Sequence, residues 1–199
     1  MASKQAHNLR VLIADDEFLV RQEVKEILEE LGHEVVAEAT DGYEARNLAR
    51  KENPNIAVLD IKMPKADGLE VAEGLIREGI CAAVVLSAFA TDEFIRKAAE
   101  VGVHGFLTKP FNKRDLNAAL QLAMVKFHEL RRLHQEVGRL EDQLATRKLL
   151  ERAKGILMRK HSFTEEMAYR LVQRQSMETR KSIREIAEAV IIADSLQTN

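Results

Sequence analysis

The sequence predicts an α/β fold of the (βα)5 type, a doubly wound parallel sheet, followed by a long linker helix and a small all-α domain of three helices. Two observations predict this arrangement. Over the first half of the chain, five short runs rich in Val, Ile and Leu alternate with stretches whose apolar residues recur at helical spacing. From residue 113 onward the alternation stops and only helical spacing continues. Alternating units of this kind bury a parallel sheet between two layers of helices.

The five apolar runs are short and consist mostly of β-branched and aliphatic residues, which is typical of strands buried on both faces. They cover residues 10–14, 34–39, 56–60, 82–88 and 105–109. Between the first two runs, apolar residues from Phe18 to Leu31 fit one helix, which Gly32 ends. Asp41 and Glu44 form a capping box for the next helix. Strand and helix signals therefore alternate as the (βα)5 fold requires.

The second half of the chain is helical throughout. No strong helix breaker occurs between residue 113 and the neighbourhood of His161, so we expect one long helix there. Two shorter amphipathic helices follow, and they begin at the capping residues Thr164 and Ser182. We place the sheet domain at residues 1–125, the linker helix at 126–145 and the three-helix domain at 146–199.

The linker helix carries apolar residues at alternating steps of three and four, which is typical of a short coiled coil. We call this set the heptad seam. It consists of Leu130, Leu133, Val137, Leu140 and Leu144. Two interpretations remain open, because such a helix can pair with a second copy of the chain or dock on its own domain.

Composition and charge restrict the possible function classes. The chain contains no apolar run of about 18 residues and its first residues lack the apolar core of a signal peptide, so we expect a cytoplasmic protein without membrane contact. A single cysteine, Cys81, rules out an internal disulfide, and the sequence has no Cys/His cluster of a zinc module.

The two parts of the chain differ in charge. Residues 1–125 hold 15 basic and 21 acidic side chains, whereas residues 139–199 hold 12 basic and 9 acidic side chains. The two parts therefore have different electrostatic tasks.

Polar residues follow several of the predicted strands at the points where the strands end. Asp15 and Asp16 follow the first strand, Asp60 ends the third, Ser87 closes the fourth and Lys109 ends the fifth. Open α/β sheets bind their ligands at this edge. Carboxylates gathered there repel one another unless a cation neutralises them, and an all-oxygen ligand set favours Mg²⁺. A lysine and a hydroxyl beside them can stabilise a phosphoryl group on a carboxylate oxygen.

The segments LIADDE, LDIKMPKADG, VVLSAF and FLTKPF occur in this order, and through them residues 8–125 resemble the receiver domain of bacterial response regulators. The resemblance implies that Asp60 is the phospho-acceptor and that a sensor histidine kinase is the donor. It implies an Mg²⁺ site made by Asp15, Asp16, Asp60 and the carbonyl of Lys62, with Asp16 a direct ligand. Ser87 and Phe106 would be the switch residues and Lys109 the phosphate-binding lysine, with a cis Lys109–Pro110 bond. Such a domain catalyses only its own phosphorylation and dephosphorylation.

The last part of the predicted long helix has two distinct faces on a helical wheel. Leu149, Leu150, Ala153, Ile156 and Leu157 form an apolar stripe. The opposite face, which we call the basic arc, holds Arg147, Lys148, Arg152, Lys154 and Arg159, together with Gly155 and Met158. A glycine there permits close approach to the backbone, and a methionine offers an apolar contact among cations.

The next helix adds an aromatic residue. Tyr169 lies away from the expected core stripe of Met167, Ala168, Leu171 and Val172, where its ring suits stacking with a base.

The segments TRKLLERAKGILM, EEMAYRLVQRQSM and TRKSIREIAEAVI span residues 146–191 and resemble the ANTAR domain, an RNA-binding antitermination module of some response regulators. The resemblance marks Arg147, Lys154, Gly155, Tyr169 and Arg180 as candidate RNA-binding residues. It implies that the protein binds RNA hairpins in nascent transcripts and so permits transcription to continue. Joined with the heptad seam, it leads us to expect a homodimer after phosphorylation, bound to paired hairpins.

Several alternatives for the C-terminal part remain open. A basic face is often only solvated, Gly155 can serve close helix packing, and Tyr169 can lie at the edge of a core. A helix-turn-helix DNA-binding domain requires base-reading residues early in its recognition helix, and the last helix offers only Ser182, Arg184 and Glu185 there. An enzymatic output domain is disfavoured, because residues 139–199 contain no cysteine and a single histidine.

Overall fold

The computed structural model describes residues 8–88 and 91–197. The chain forms two compact units, Met1–Arg132 and Leu133–Asn199. Within the described ranges, no helix combines the length and the apolar character that crossing a bilayer requires.

The N-terminal unit is a five-stranded sheet with the strand order β2-β1-β3-β4-β5, in which every pair of neighbours is parallel. Its strands are β1 (Arg10–Ala14), β2 (Glu34–Ala39), β3 (Ile56–Asp60), β4 (Ala82–Ser87) and β5 (Gly105–Thr108). Its helices are α1 (Phe18–Glu30), α2 (Gly42–Glu52), α3 (Gly68–Arg77), α4 (Asp92–Val101) and the first part of α5 (Lys113–His161). The predicted doubly wound fold is confirmed.

The sheet is buried by two apolar clusters, one on each face, as the uninterrupted apolar strands predict. Consecutive residues of one strand enter different clusters, with Leu12 in one and Ile13 in the other. The strand order changes direction between β1 and β3, because β1 lies beside both β2 and β3. Ligands bind beyond the carboxyl ends of the strands at such a switch point.

The helix caps follow the sequence signals. Glu44 donates its backbone N–H to the Asp41 side chain at 2.9 Å and accepts from the Thr40 N–H at 2.9 Å. Gly32 ends α1 with a φ of 80°, a value that glycine adopts without steric penalty. Phe18, which the helical spacing assigned to the apolar face of α1, is instead 65% exposed.

The C-terminal unit contains the rest of α5, α6 (Glu165–Thr179) and α7 (Ile183–Gln197). The Thr164 hydroxyl accepts the Met167 N–H at the start of α6, and Ser182 and Glu185 exchange hydrogen bonds at the start of α7. A small apolar core joins the three helices. It contains Leu157, Ala168 and Val172, with Leu150, Phe163, Leu171, Ile183, Ile186 and Val190 packed around them.

Helix α5 is 49 residues long and runs without interruption through residues 126–145, which we assigned to the linker. In the single chain, Leu130 is half-buried and the other four members of the heptad seam are exposed by 45–59%. Exposed leucine and valine side chains along one stripe of a helix are typical of a surface that pairs with another helix.

Candidate functional site

The acidic residues at the ends of β1 and β3 meet, because these two strands are neighbours in the sheet. Asp15, Asp16 and Asp60 each place a carboxylate oxygen within 4.8 Å of the others. Asp15 and Asp60 are buried, whereas Asp16 is exposed. The predicted gathering of the three carboxylates is confirmed. Their oxygen donors form a ligand set that suits Mg²⁺.

Lys109 bridges two of these carboxylates. Its Nζ lies 2.7 Å from Asp15 Oδ2 and 2.6 Å from Asp60 Oδ1. Burial lowers the pKa of Lys109, but its hydrogen bonds to the two aspartates outweigh this effect, and the net shift is upward. Burial also raises the pKa of Asp15, which the hydrogen bond from Lys109 opposes. One ammonium group thus lies beside a cluster of three carboxyl groups. The cluster keeps a negative charge that a further cation can neutralise.

The backbone around Asp60 and Lys109 fixes both side chains. The Lys109–Pro110 peptide bond is cis, as predicted, and the Lys109 N–H donates to the Ser87 carbonyl at 2.7 Å. Asp60 Oδ2 accepts the Lys62 N–H at 2.7 Å. A Cβ on Gly68 would lie 2.0 Å from the Asp60 carbonyl oxygen, so α3 begins in direct contact with the acceptor strand. Only glycine fits at this position.

A cavity of about 510 Å³ opens beside the acidic cluster, and Asp16, Asp60, Lys62, Ser87, Phe94 and Lys109 line it. Ser87 is 5% exposed. Phe106, the predicted switch aromatic, packs against Phe94, with the ring centroids 5.3 Å apart. The structure thus brings together the predicted phospho-acceptor, hydroxyl and lysine in one cavity.

Two residues near this cavity were missed by the sequence analysis. Phe94 lies in the first turn of α4, and its ring contact with Phe106 depends on how α4 packs beside β5. Arg21 donates from Nη1 to the Asp15 carbonyl at 2.7 Å and so ties α1 to the loop of the acidic pair. For Phe94, the sequence offered one signal, an aromatic residue three positions after the capping residue Thr91. Nothing local in the sequence marks the second.

The candidate RNA-binding residues of the C-terminal unit are mostly on its surface. Exposed members are Arg147, Lys148, Arg152, Met158, Tyr169 and Arg180. Gly155 is half-buried, and a Cβ built on it would have only Arg159 Nη1, at 3.7 Å, within 4 Å among the described residues. Close helix packing within the chain therefore does not explain this glycine, and its backbone remains open to a partner.

Lys154 departs from the expectation. It is 7% exposed, and its Nζ lies 2.8 Å from Glu151 and 2.7 Å from Glu165. These hydrogen bonds raise the pKa of Lys154. The assignment of Lys154 to an exposed basic arc is wrong, because it lies at the border of the apolar stripe, one turn after Leu150, where α6 covers it. Its ion pair with Glu165 joins α5 to α6.

Lys154→Ala is therefore expected to lower the unfolding temperature of the C-terminal unit, since it removes a cross-helix ion pair and a buried aliphatic stem. Lys148→Ala, at an exposed position of the same helix, should leave that temperature unchanged and reduce the salt dependence of RNA binding by about one phosphate contact. Calorimetry of the full chain and RNA titrations at several salt concentrations measure both effects. Equal stability of the two variants would show that Lys154 has no structural role.

Comparisons with known proteins agree with this geometry. The family model of the response regulator receiver domain matches residues 11–121, and that of the ANTAR domain matches residues 138–191. The chain is 42% identical over 182 residues to the transcriptional regulatory protein PdtaR of Mycobacterium tuberculosis, covering 92% of this chain and 89% of that protein. It is 33% identical to the alkaline phosphatase synthesis transcriptional regulatory protein PhoP of Bacillus subtilis, over 57% of this chain and 48% of that protein. Among solved structures, the receiver domain of the putative response regulator NarL from Mycobacterium tuberculosis is similar with a TM-score of 0.56 and 32% identity, over 58% of this chain and 96% of that one.

Proposed function

Because the chain belongs to the response regulator family and joins a receiver domain to an ANTAR domain, we propose that Asp60 is the residue through which it is switched. The protein is a two-component response regulator with RNA-binding antitermination as its output. In this proposal a sensor histidine kinase donates the phosphoryl group, and the phosphorylated protein binds two RNA hairpins in a nascent transcript. The contact of Lys109 with both Asp15 and Asp60 carries the assignment of the site.

The proposed transfer forms a bond between phosphorus and a carboxylate oxygen of Asp60 and breaks the bond between phosphorus and the donor histidine nitrogen. Mg²⁺, held by Asp15, Asp16, Asp60 and the carbonyl of Lys62, would supply charge that neutralises the transferred group. Lys109 would stabilise the negative charge of the transferred phosphoryl group, since its Nζ lies 2.6 Å from Asp60 Oδ1. Catalysis by the receiver is confined to gaining and losing this group.

The proposed switch residues lie in or beside the same cavity. Ser87 lines it together with Asp60, so in this proposal its hydroxyl donates to a phosphoryl oxygen, and Phe106 packs against the neighbouring Phe94. A movement of either side chain changes the packing between α4 and β5. The phosphoryl group shifts the equilibrium between the resting and the active conformation only by the difference between its contact free energies in the two conformations.

The RNA surface in this proposal is the exposed part of the C-terminal unit. Arg147, Lys148 and Arg152 supply cations, and Arg180 adds one at the end of α6. Gly155 offers an open stretch of backbone, and Met158 and Tyr169, each 39% exposed, offer contacts for bases. The exposed heptad seam supplies the contact between two chains, so that two RNA-binding modules act together.

The test compares RNA with DNA. We expect the phosphorylated protein to bind a two-hairpin RNA much more tightly than DNA of the same sequence, because the 2′-hydroxyl and the loop geometry distinguish them. Gly155→Leu should weaken RNA binding although it favours the helix. Titration of both nucleic acids with the full chain measures this. Tighter binding of the DNA would support the helix-turn-helix alternative instead, and equal affinity for the two would indicate binding to phosphates by charge alone.

A further inference from the structure

A groove of about 570 Å³ lies along α6 in the C-terminal unit. Phe163, Met167, Arg170, Gln173, Arg174 and Met177 line it. Met167 is 52% exposed and Met177 69% exposed. The sequence pattern placed Met167 in the core stripe with Ala168, Leu171 and Val172. That expectation is wrong, because those three residues belong to the core cluster whereas Met167 is exposed. An apolar surface of this kind on an exposed helix indicates a ligand or a partner.

The arginines in the groove indicate whether it binds a ligand or a partner helix. Arg170 and Arg174 lie between Met167 and Met177 on the same face of α6, at helical spacing. A partner helix packed on this face would remove both guanidinium groups from water, which costs more free energy than it returns unless each gains a well-placed acid. The groove therefore does not have the composition of a helix-packing surface.

The present partners of the two arginines are weak. Arg170 pairs with Glu166 at 2.7 Å and Arg174 with Glu178 at 3.8 Å, and all four side chains are more than half exposed. Exposed ion pairs of this type contribute about 0–1 kcal/mol. Breaking either ion pair so that the arginine can bind a phosphate group therefore requires little free energy.

A nucleotide has the matching chemistry. An unstacked base presents a flat apolar face to Met167 and Phe163, its edge can exchange hydrogen bonds with Gln173, and its phosphate can pair with Arg170 or Arg174. Gln173 also lies one helical turn after Tyr169, so the groove is continuous on α6 with the aromatic residue of the proposed RNA surface.

We infer that the α6 groove binds an unstacked nucleotide of the RNA, contributed by a hairpin loop. This inference rests on the proposed RNA-binding function and adds a second subsite to it, on a helix face that the basic arc does not include. Apolar contacts from Met167 and Phe163 would hold the base, and the two arginines would hold the adjoining phosphates.

The experiment uses the phosphorylated full chain and an RNA hairpin selected by it from a pool with a fixed stem and a randomised loop. Each loop position of the selected hairpin is then made abasic in turn. We expect one abasic position to weaken binding by the parent about tenfold, the usual effect of losing one stacked base. Met167→Gln should bind the intact hairpin about as weakly and lose no further affinity at that position.

Leu196→Gln is the matched control, because Leu196 is an exposed apolar residue of the same unit that does not line the groove. It should bind like the parent and keep the abasic effect. If Met167→Gln retains parental affinity and the full abasic effect, the inference is overturned while RNA binding stands. A change in oligomeric state of Met167→Gln without any change in RNA affinity would assign the groove to a second chain and also overturn it. A parent that selects no hairpin would contradict the proposed function itself.

Discussion

Asp60→Asn should accept no phosphoryl group from a small phosphodonor in the presence of Mg²⁺, whereas the parent should accept one acid-labile group per chain. An amide has nearly the shape of a carboxylate, and its oxygen can still accept the Lys62 N–H, so the fold should persist. The amide lacks the anionic oxygen that attacks phosphorus, and Lys109 loses one of its two anionic partners. Mass measurement of the intact protein, before and after acid treatment, counts the groups added.

Asp67→Asn provides the matched control for this result. Asp67 lies seven residues beyond Asp60, where its side chain caps α3 by accepting the Glu70 N–H at 2.8 Å, and asparagine caps a helix as well. This variant should be phosphorylated like the parent. Chelation of Mg²⁺ should prevent labelling of both, because the acidic cluster would then repel the incoming phosphoryl group. Labelling of Asp60→Asn to the parental extent would exclude Asp60 as the acceptor.

The receiver site could be predicted from the sequence because its geometry follows from topology. Parallel strands end at one edge, so residues at strand ends meet once the strand order places β1 beside β3. Asp15 and Asp60 are far apart in the chain, yet their type and position relative to the strands were sufficient. Gly68 shows what this logic omits, since its necessity appears only when the start of α3 is seen against the Asp60 carbonyl.

The C-terminal unit was predicted less well, and Lys154 and Met167 show why. A helical wheel gives the direction of a side chain around its own helix but not the place where a neighbouring helix crosses it. Lys154 borders the apolar stripe, and α6 covers it with Glu165 within reach. Met167 belongs to an apolar pattern, yet it lies beyond the edge of the small core that the end of α5, α6 and α7 form. In a module this small, residues at the border of a stripe depend on packing details that periodicity does not contain.

Phosphorylation should convert the protein from a monomer or a weakly associating chain to a dimer joined through the heptad seam. Leu133, Val137, Leu140 and Leu144 are 45–59% exposed in the single chain, so pairing of two α5 helices would remove four apolar side chains per chain from water. The seam is little more than two heptads long and is therefore marginal alone. A few kcal/mol from the receiver switch is enough to change its population substantially.

The consequence for RNA binding is large. One module presents few cations to one hairpin, whereas two joined modules meeting two hairpins gain effective concentration, which raises affinity by about 10²-fold to 10⁴-fold without any new contact. Val137→Asp places a charge at the middle of the seam and should keep the phosphorylated protein monomeric. Its affinity for a two-hairpin RNA should then fall to that of the parent for a single hairpin.

Gln135→Asp separates the seam from a general effect of charge on α5, because Gln135 is exposed and lies on the opposite side of the helix from Val137. It should dimerise and bind paired hairpins like the parent. Light scattering with and without phosphorylation, together with titrations of one-hairpin and two-hairpin RNA, measures each step. A resting parent that is already fully dimeric at micromolar concentration would contradict the assembly mechanism, and phosphorylation would then have to act by exposing the RNA surface within a standing dimer.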